Sequence, residues 1–200
     1  MNFYFINNTN ESIFFKTSDF TQFDDQEGFE FDNEEKGPAL EIYGTDLTLL
    51  ASLGQLEECF GREQELLEMM EILVRRQKNN PVLVGDAGVG KTAIVELFAT
   101  KIVNNLVPFV LEGRSIVSLD LARIVAGSRY RGEFELRFQR VLDEVLAQPH
   151  IIIFIDEIHN IGGTGSAEGS LDAANILKPV LSRSGFQCIG ATTTKEYQKI

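Results

Sequence analysis

GDAGVGKT, residues Gly85–Thr92, decides how the rest of the chain is read. It fits the pattern G-x-x-x-x-G-K-[ST]. Before it stands PVLV (Pro81–Val84), a short apolar run that predicts a buried strand; TAIVELFATKIV, from Thr92, predicts a helix. The glycines let the backbone of Gly85, Asp86, Ala87, Gly88, Val89 and Gly90 curl so that successive N–H groups point at phosphate oxygens, and the helix N-terminus adds partial positive charge. Lys91 can then reach the β- and γ-phosphates of ATP, and the Thr92 hydroxyl can hold Mg²⁺. A plain glycine turn before a helix does not require strand, loop, Lys-Thr pair and helix together.

The next signal is IIIFIDEIHN, Ile151–Asn160. Five apolar residues deliver Asp156 and Glu157 to the carboxyl end of a strand, where ligands sit in an open α/β sheet. An acidic pair there is by itself a solvated loop or a helix cap. Beside a phosphate loop, Asp156 suits Mg²⁺, directly or through water, and Glu157 is placed to polarise the water that attacks the γ-phosphate. His159 reads as structural, because the loop, metal and carboxylates already fill the hydrolytic roles.

Further out, strand and helix signals alternate. GREQELLEMMEILVRRQ (Gly61–Gln77) puts Leu66, Met69, Met70 and Leu73 on one helical face, SIVSLD (Ser115–Asp120) predicts a strand, and Phe134, Phe138, Val141 and Val145 mark another amphipathic helix. With IIIFID and QCIGATT as further strands, the pattern is α/β, a mostly parallel sheet covered on both faces.

The 200 residues carry a net charge of −12. Residues 1–60 hold 13 acidic residues and two lysines, whereas residues 61–200 are close to neutral. That balance excludes non-specific binding to nucleic acid or to anionic membranes, which needs excess positive charge. Eight of the 15 phenylalanines lie in the first 31 residues, and residues 1–36 show no sustained period, so they read as an acidic, Phe-rich arm expected to be mostly disordered. Residues 37–60 read as a linker leading into a short helix, and residues 61–200 as the folded body. Cys59 and Cys188 stand in no metal-ligand or disulfide spacing. The N-terminus lacks the basic region of a signal peptide and is too acidic for a transit peptide, so the protein is expected to act where it is made.

From about Gly37 onward the chain resembles the first ATPase domain of the Clp unfoldases, an AAA+ family, and most of all the C-type. The resemblance rests on GPALEIYGTDLTLLA, on the run from Gly61 through the phosphate loop, and on GSRYRGEFELRF, FIDEIHNIGGTG and CIGATTTKEY in family order. It implies a P-loop AAA+ three-layer sandwich. It also implies that Tyr130, flanked by Arg129 and Arg131, is the pore-loop aromatic that grips unfolded polypeptide, since a ring can contact many side chains without demanding one sequence. Gly162–Ser170 resembles the second pore loop. Thr193 matches the polar sensor of the γ-phosphate, and Cys59, Phe60 and Gly61 match the segment lying against adenine. The chain departs from the family pattern at Glu58, Phe60 and Ala87.

The resemblance further implies an arginine finger, a fifth sheet strand beside the phosphate-loop strand, a small helical lid and a second ATPase domain, none of which is recognised here. The expectation is therefore a partial AAA+ domain lacking the last strand and the lid, with an unpaired sheet edge beside PVLV. ATP hydrolysis is expected to be weak unless a complementary Clp ATPase chain or other Clp subunit completes the site. Unfolded polypeptides are the implied substrates, with a Clp peptidase as a further partner. A non-catalytic ATP- or partner-binding module, or a remnant of a Clp ATPase, is the competing expectation. A plastid stroma, with synthesis inside the organelle, is the expected location, and a bacterial cytoplasm the alternative.

Overall fold

The computed structural model describes residues 4–5, 37–126, 131–161, 173–183 and 185–199. Its sheet contains β1 (Tyr4–Phe5), β2 (Gly44–Asp46), β3 (Val82–Val84), β4 (Ser115–Leu119), β5 (Ile151–Ile155) and β6 (Gln187–Thr192), in the order β1-β3-β6-β5-β4-β2. The four central strands are parallel, and each outer strand is antiparallel to its neighbour. Four parallel strands need crossover connections, and helices fill them. They are α4 (Lys91–Val103), α5 (Leu121–Val125), α6 (Arg131–Leu146) and α7 (Ala173–Leu181), with α1 (Ala39–Tyr43), α2 (Leu47–Ser52), α3 (Glu63–Leu73) and α8 (Thr194–Tyr197) completing the described set.

β5 explains the layering. All five of its residues are buried, because successive side chains face opposite helical layers. Ile151, Ile153 and Ile155 join Phe134, Phe138, Val141 and Leu177 on the face covered by α1, α6 and α7. Ile152 and Phe154 join Leu66, Met69, Ile94 and Phe98 on the face covered by α2, α3 and α4. Those two clusters are the two cores of a three-layer sandwich. Among the described residues no helix is long and apolar enough to cross a membrane.

Two features differ from the sequence reading. Residues 37–53 are built into the body: α1 packs on α6, β2 pairs with β4, and Leu47 enters the second core. Glu144 fixes the start of α1 by accepting the N–H groups of Ala39 at 2.7 Å and Leu40 at 2.9 Å. The second feature is β1. The edge beside PVLV is not bare, since Tyr4 pairs with Val84 and Phe5 with Leu83. The propensity of residues 37–53 is weak locally, and β1 is only two residues long, so neither is set by periodicity; long-range pairing decides both.

Candidate functional site

β3 ends at Val84 and α4 begins at Lys91, so Gly85–Gly90 must turn the chain within six residues. Gly88 and Gly90 do so at φ 75° and 90°, a region that a Cβ strains. The Gly85 N–H donates to the Thr192 carbonyl at 3.3 Å, which pins the start of the loop to the end of β6. Val89 is buried at the far end, while Asp86, Ala87 and Gly88 are exposed. A loop anchored at both ends with a solvated middle suits a backbone cradle for an anion.

The Lys91 ammonium donates to the carbonyls of Gly85 at 3.0 Å and Asp86 at 2.9 Å, leaving one of its three protons for another acceptor. The Thr92 hydroxyl donates to Asp156 Oδ2 at 3.0 Å, so the first turn of α4 meets the end of β5 across 64 positions of sequence. Asp156 Oδ1 accepts the Glu157 N–H at 2.8 Å. Hydroxyl and carboxylate oxygens are the hard donors that Mg²⁺ takes. Among the described residues no three His, Cys, Asp or Glu side chains converge into a metal cage. A cation held by Thr92 and Asp156 would therefore draw the rest of its shell from water and phosphate.

Glu157 sits at φ 47°, a left-handed conformation that costs a non-glycine residue roughly 1–3 kcal/mol. Asn160 holds it there from both ends. Its N–H donates to the Glu157 carbonyl at 2.8 Å, and its side-chain Nδ2 donates to Glu157 Oε2 at 3.1 Å. The carboxylate is thereby fixed at one oxygen, and the residue is exposed. Sequence reading missed Asn160; its place three residues after Glu157, in a short 3₁₀ turn at Ile158–Ile161, was the available signal.

Thr193 half-emerges at the end of β6, and its hydroxyl caps α8 by accepting the Glu196 N–H at 3.2 Å. The preceding Thr192 is buried, with its hydroxyl 3.1 Å from His159 Nδ1. This contact ties the turn after β5 to β6, a positional role for His159. Gly190 lets that turn approach, because a Cβ there would lie 2.9 Å from Ile158 Cδ1.

Arg62 is a second residue that sequence reading missed. Its guanidinium donates to the Val89 carbonyl at 3.0 Å and to Glu65 Oε1 at 3.0 Å, joining the start of α3 to the phosphate loop. Gly61, at φ 74°, turns the chain into this contact, whereas the Phe60 ring is 79% exposed. Nearby, burial raises the Cys59 thiol above its ordinary range against the opposing pull of Arg62. Burial also raises the Glu96 carboxyl on α4, with Glu57 adding to the shift, and pushes Cys188 up to about 12. Neither thiol has the lowered pKa of a nucleophile. Tyr130, Arg129 and Gly162–Ser170 lie outside the described residues, and Arg131 opens α6.

Residues 81–200 match the ATPase family associated with various cellular activities (AAA). The chain is similar to the chaperone protein ClpB of Aquifex aeolicus, at 55% identity over 85% of this chain and 17% of that protein. It is similar at 52% to the ATP-dependent Clp protease ATP-binding subunit ClpC of Staphylococcus saprophyticus, over 81% of this chain and 20% of that protein. The chloroplastic chaperone protein ClpC of Pisum sativum matches at 52%, over 82% and 18% respectively. Among solved structures, the closed state of Hsp104 with ATPγS and FITC casein superposes with a TM-score of 0.73 at 46% identity, covering 80% of this chain and 28% of that one. The chain thus spans no more than a fifth of the length of these curated relatives.

Proposed function

Because this chain belongs to the family of AAA ATPases, we propose that it binds ATP with Mg²⁺ through Gly85–Thr92 and Asp156 and acts as a Clp-type subunit coupling hydrolysis to polypeptide unfolding. The observation that carries the proposal is the Thr92–Asp156 hydrogen bond. It brings the hydroxyl of the phosphate loop and the carboxylate after the IIIFI strand to one point, while the Lys91 ammonium is held by the loop carbonyls of Gly85 and Asp86. Mg²⁺, when bound, would neutralise phosphate charge and orient the polyphosphate.

The chain's own groups take the remaining roles. Loop N–H groups and Lys91 bind phosphate oxygens; Thr92 and Asp156 hold the cation. Glu157, held by Asn160 through one oxygen, uses its carboxylate to orient the attacking water and accept its proton. Thr193 senses the γ-phosphate. Gly61 and Phe60 line the base, with Arg62 linking that segment to the loop. Tyr130, flanked by Arg129 and Arg131, grips an unfolded chain. Partners follow from the same reading: unfolded polypeptide, further Clp ATPase chains and a Clp peptidase. The chloroplastic and bacterial relatives support a plastid stroma or a bacterial cytoplasm.

Calorimetric titration with MgATP tests the reading. Lys91→Ala should weaken binding about a hundredfold, since a charge-assisted contact to phosphate is worth about 3 kcal/mol; unchanged affinity would sink the assignment. In any assembly that hydrolyses ATP, Glu157→Gln should suppress turnover and leave binding intact, because a group acting on the transition state contributes little to ground-state affinity. Tyr130→Ala should impair substrate movement while sparing ATP affinity.

A further inference from the structure

β6 outruns β5 at the end of the sheet that holds the phosphate loop. Ile155, the last residue of β5, pairs with Gly190, whereas β6 continues to Thr192, which pairs with Val84 at the end of β3. Thr192 therefore stands where three parts of the candidate site meet. Its carbonyl accepts the Gly85 N–H at the start of the phosphate loop, its hydroxyl lies 3.1 Å from His159 Nδ1 in the turn after Glu157, and Thr193 is the next residue. Thr192 is only 1% exposed, so water does not replace a partner lost there. A hydroxyl both donates and accepts, and the contact is available to either imidazole tautomer.

The turn that carries His159 is itself held. Asn160 closes it onto Glu157, and Ile158 packs against Gly190 of β6. Beyond it, the Thr193 hydroxyl accepts the Glu196 N–H at 3.2 Å, which uses a lone pair and leaves the hydroxyl proton for another acceptor. The direction of that proton depends on how firmly the end of β6 is placed. A buried hydroxyl and imidazole that served packing alone could be replaced by apolar groups of the same shape at little cost; what the polar pair adds is direction.

We propose that His159 is a positioning residue for γ-phosphate recognition: through the Thr192 hydroxyl it fixes the strand end from which Thr193 offers its proton, and so sets how tightly the site holds ATP relative to ADP. The inference rests on the nucleotide reading of Gly85–Thr92 and on Thr193 as the γ-phosphate sensor. His159 acts at one remove, through Thr192. A hydrogen bond weakens steeply as its angle degrades, so loosening the end of β6 costs the Thr193 bond first. The phosphate loop keeps its hold, because the contacts of Arg62 with Val89 and of Lys91 with Gly85 and Asp86 do not involve β6.

Calorimetric titration of the full chain with MgATP and with MgADP tests it, the readout being the ratio of the two dissociation constants. His159→Phe keeps a ring and removes both nitrogens. It should weaken MgATP about fivefold, the factor that one neutral hydrogen bond is worth, and leave MgADP within about twofold. His159→Asn returns a polar atom near the place of Nδ1 and should restore the original ratio. Thr193→Val should shift the ratio directly, and adding His159→Phe to it should shift the ratio no further, because both act on one bond. Equal weakening of both nucleotides by His159→Phe would make the residue structural and overturn the positioning role; an unchanged ratio, or additive shifts in the double variant, would overturn it too. Should His159→Phe fail to fold, Thr192→Val removes the same contact from the other side, and without the same selective loss of MgATP the role is wrong. An original chain that binds neither nucleotide overturns the nucleotide assignment and this role with it, whereas one that binds MgATP with no dependence on His159 overturns the role alone.

Discussion

The two edges of the sheet are sealed by different physics. On one side β2 pairs with β4, and its flanking helices α1 and α2 sink Ala39, Leu40, Tyr43 and Leu47 into the two cores. Gly44 lies so close to the body that a Cβ would meet the Leu40 carbonyl oxygen and Val117 Cγ1 at 2.5 Å each. On the other side β1 contributes two residues of backbone pairing to β3, the strand that carries the phosphate loop. The packed edge supports stability away from the chemistry. The thinly covered edge adjoins the chemistry.

The largest expected effect breaks the packed edge. Gly44→Ala should destabilise the fold by about 3 kcal/mol, the upper range for forcing atoms into a packed site, as read by urea denaturation. A shift under about 1 kcal/mol would show that β2 is not clamped. Next, Glu144→Ala strands the amides of Ala39 and Leu40 and should cost about 2 kcal/mol. Both variants should keep MgATP affinity, and a loss would tie the packed edge to the site.

Smaller effects belong to the other side. Tyr4→Pro should cost about 1 kcal/mol or less in global stability, so a loss as large as that of Gly44→Ala would erase the contrast between the edges. Lys91→Ala, despite its effect on nucleotide, should move apo stability by about 1 kcal/mol or less, because, of the two carbonyls it releases, that of Asp86 is exposed and only that of Gly85 lies in a buried residue. The smallest effect is pH-dependent. Burial, then Glu57, raises the folded-state carboxyl of Glu96 above its unfolded value. Its contribution to stability is thus fully present below the ordinary carboxylate range and is lost as pH rises through the raised folded value. Glu96→Gln should flatten that part of the stability profile and stabilise slightly at neutral pH. An unchanged profile would contradict the assignment.

Much of the site was legible because its logic is local. Gly88 and Gly90 are needed where φ is positive, Lys91 and Thr92 follow directly, and an apolar strand must end where Asp156 and Glu157 begin. The alternation of strand and helix signals likewise determined the parallel sheet and its two covered faces, since parallel strands require crossovers and burial on both sides. Tertiary structure alone decided the rest. That Thr92 meets Asp156, that Arg62 reaches Val89, that His159 meets Thr192 and that Asn160 holds Glu157 are facts of side-chain direction, which no spacing rule contains. The sheet edges are the clearest case. A two-residue strand and a three-residue strand have too few side chains to announce themselves by period, and their backbone groups find partners only after β3 and β4 exist to offer them.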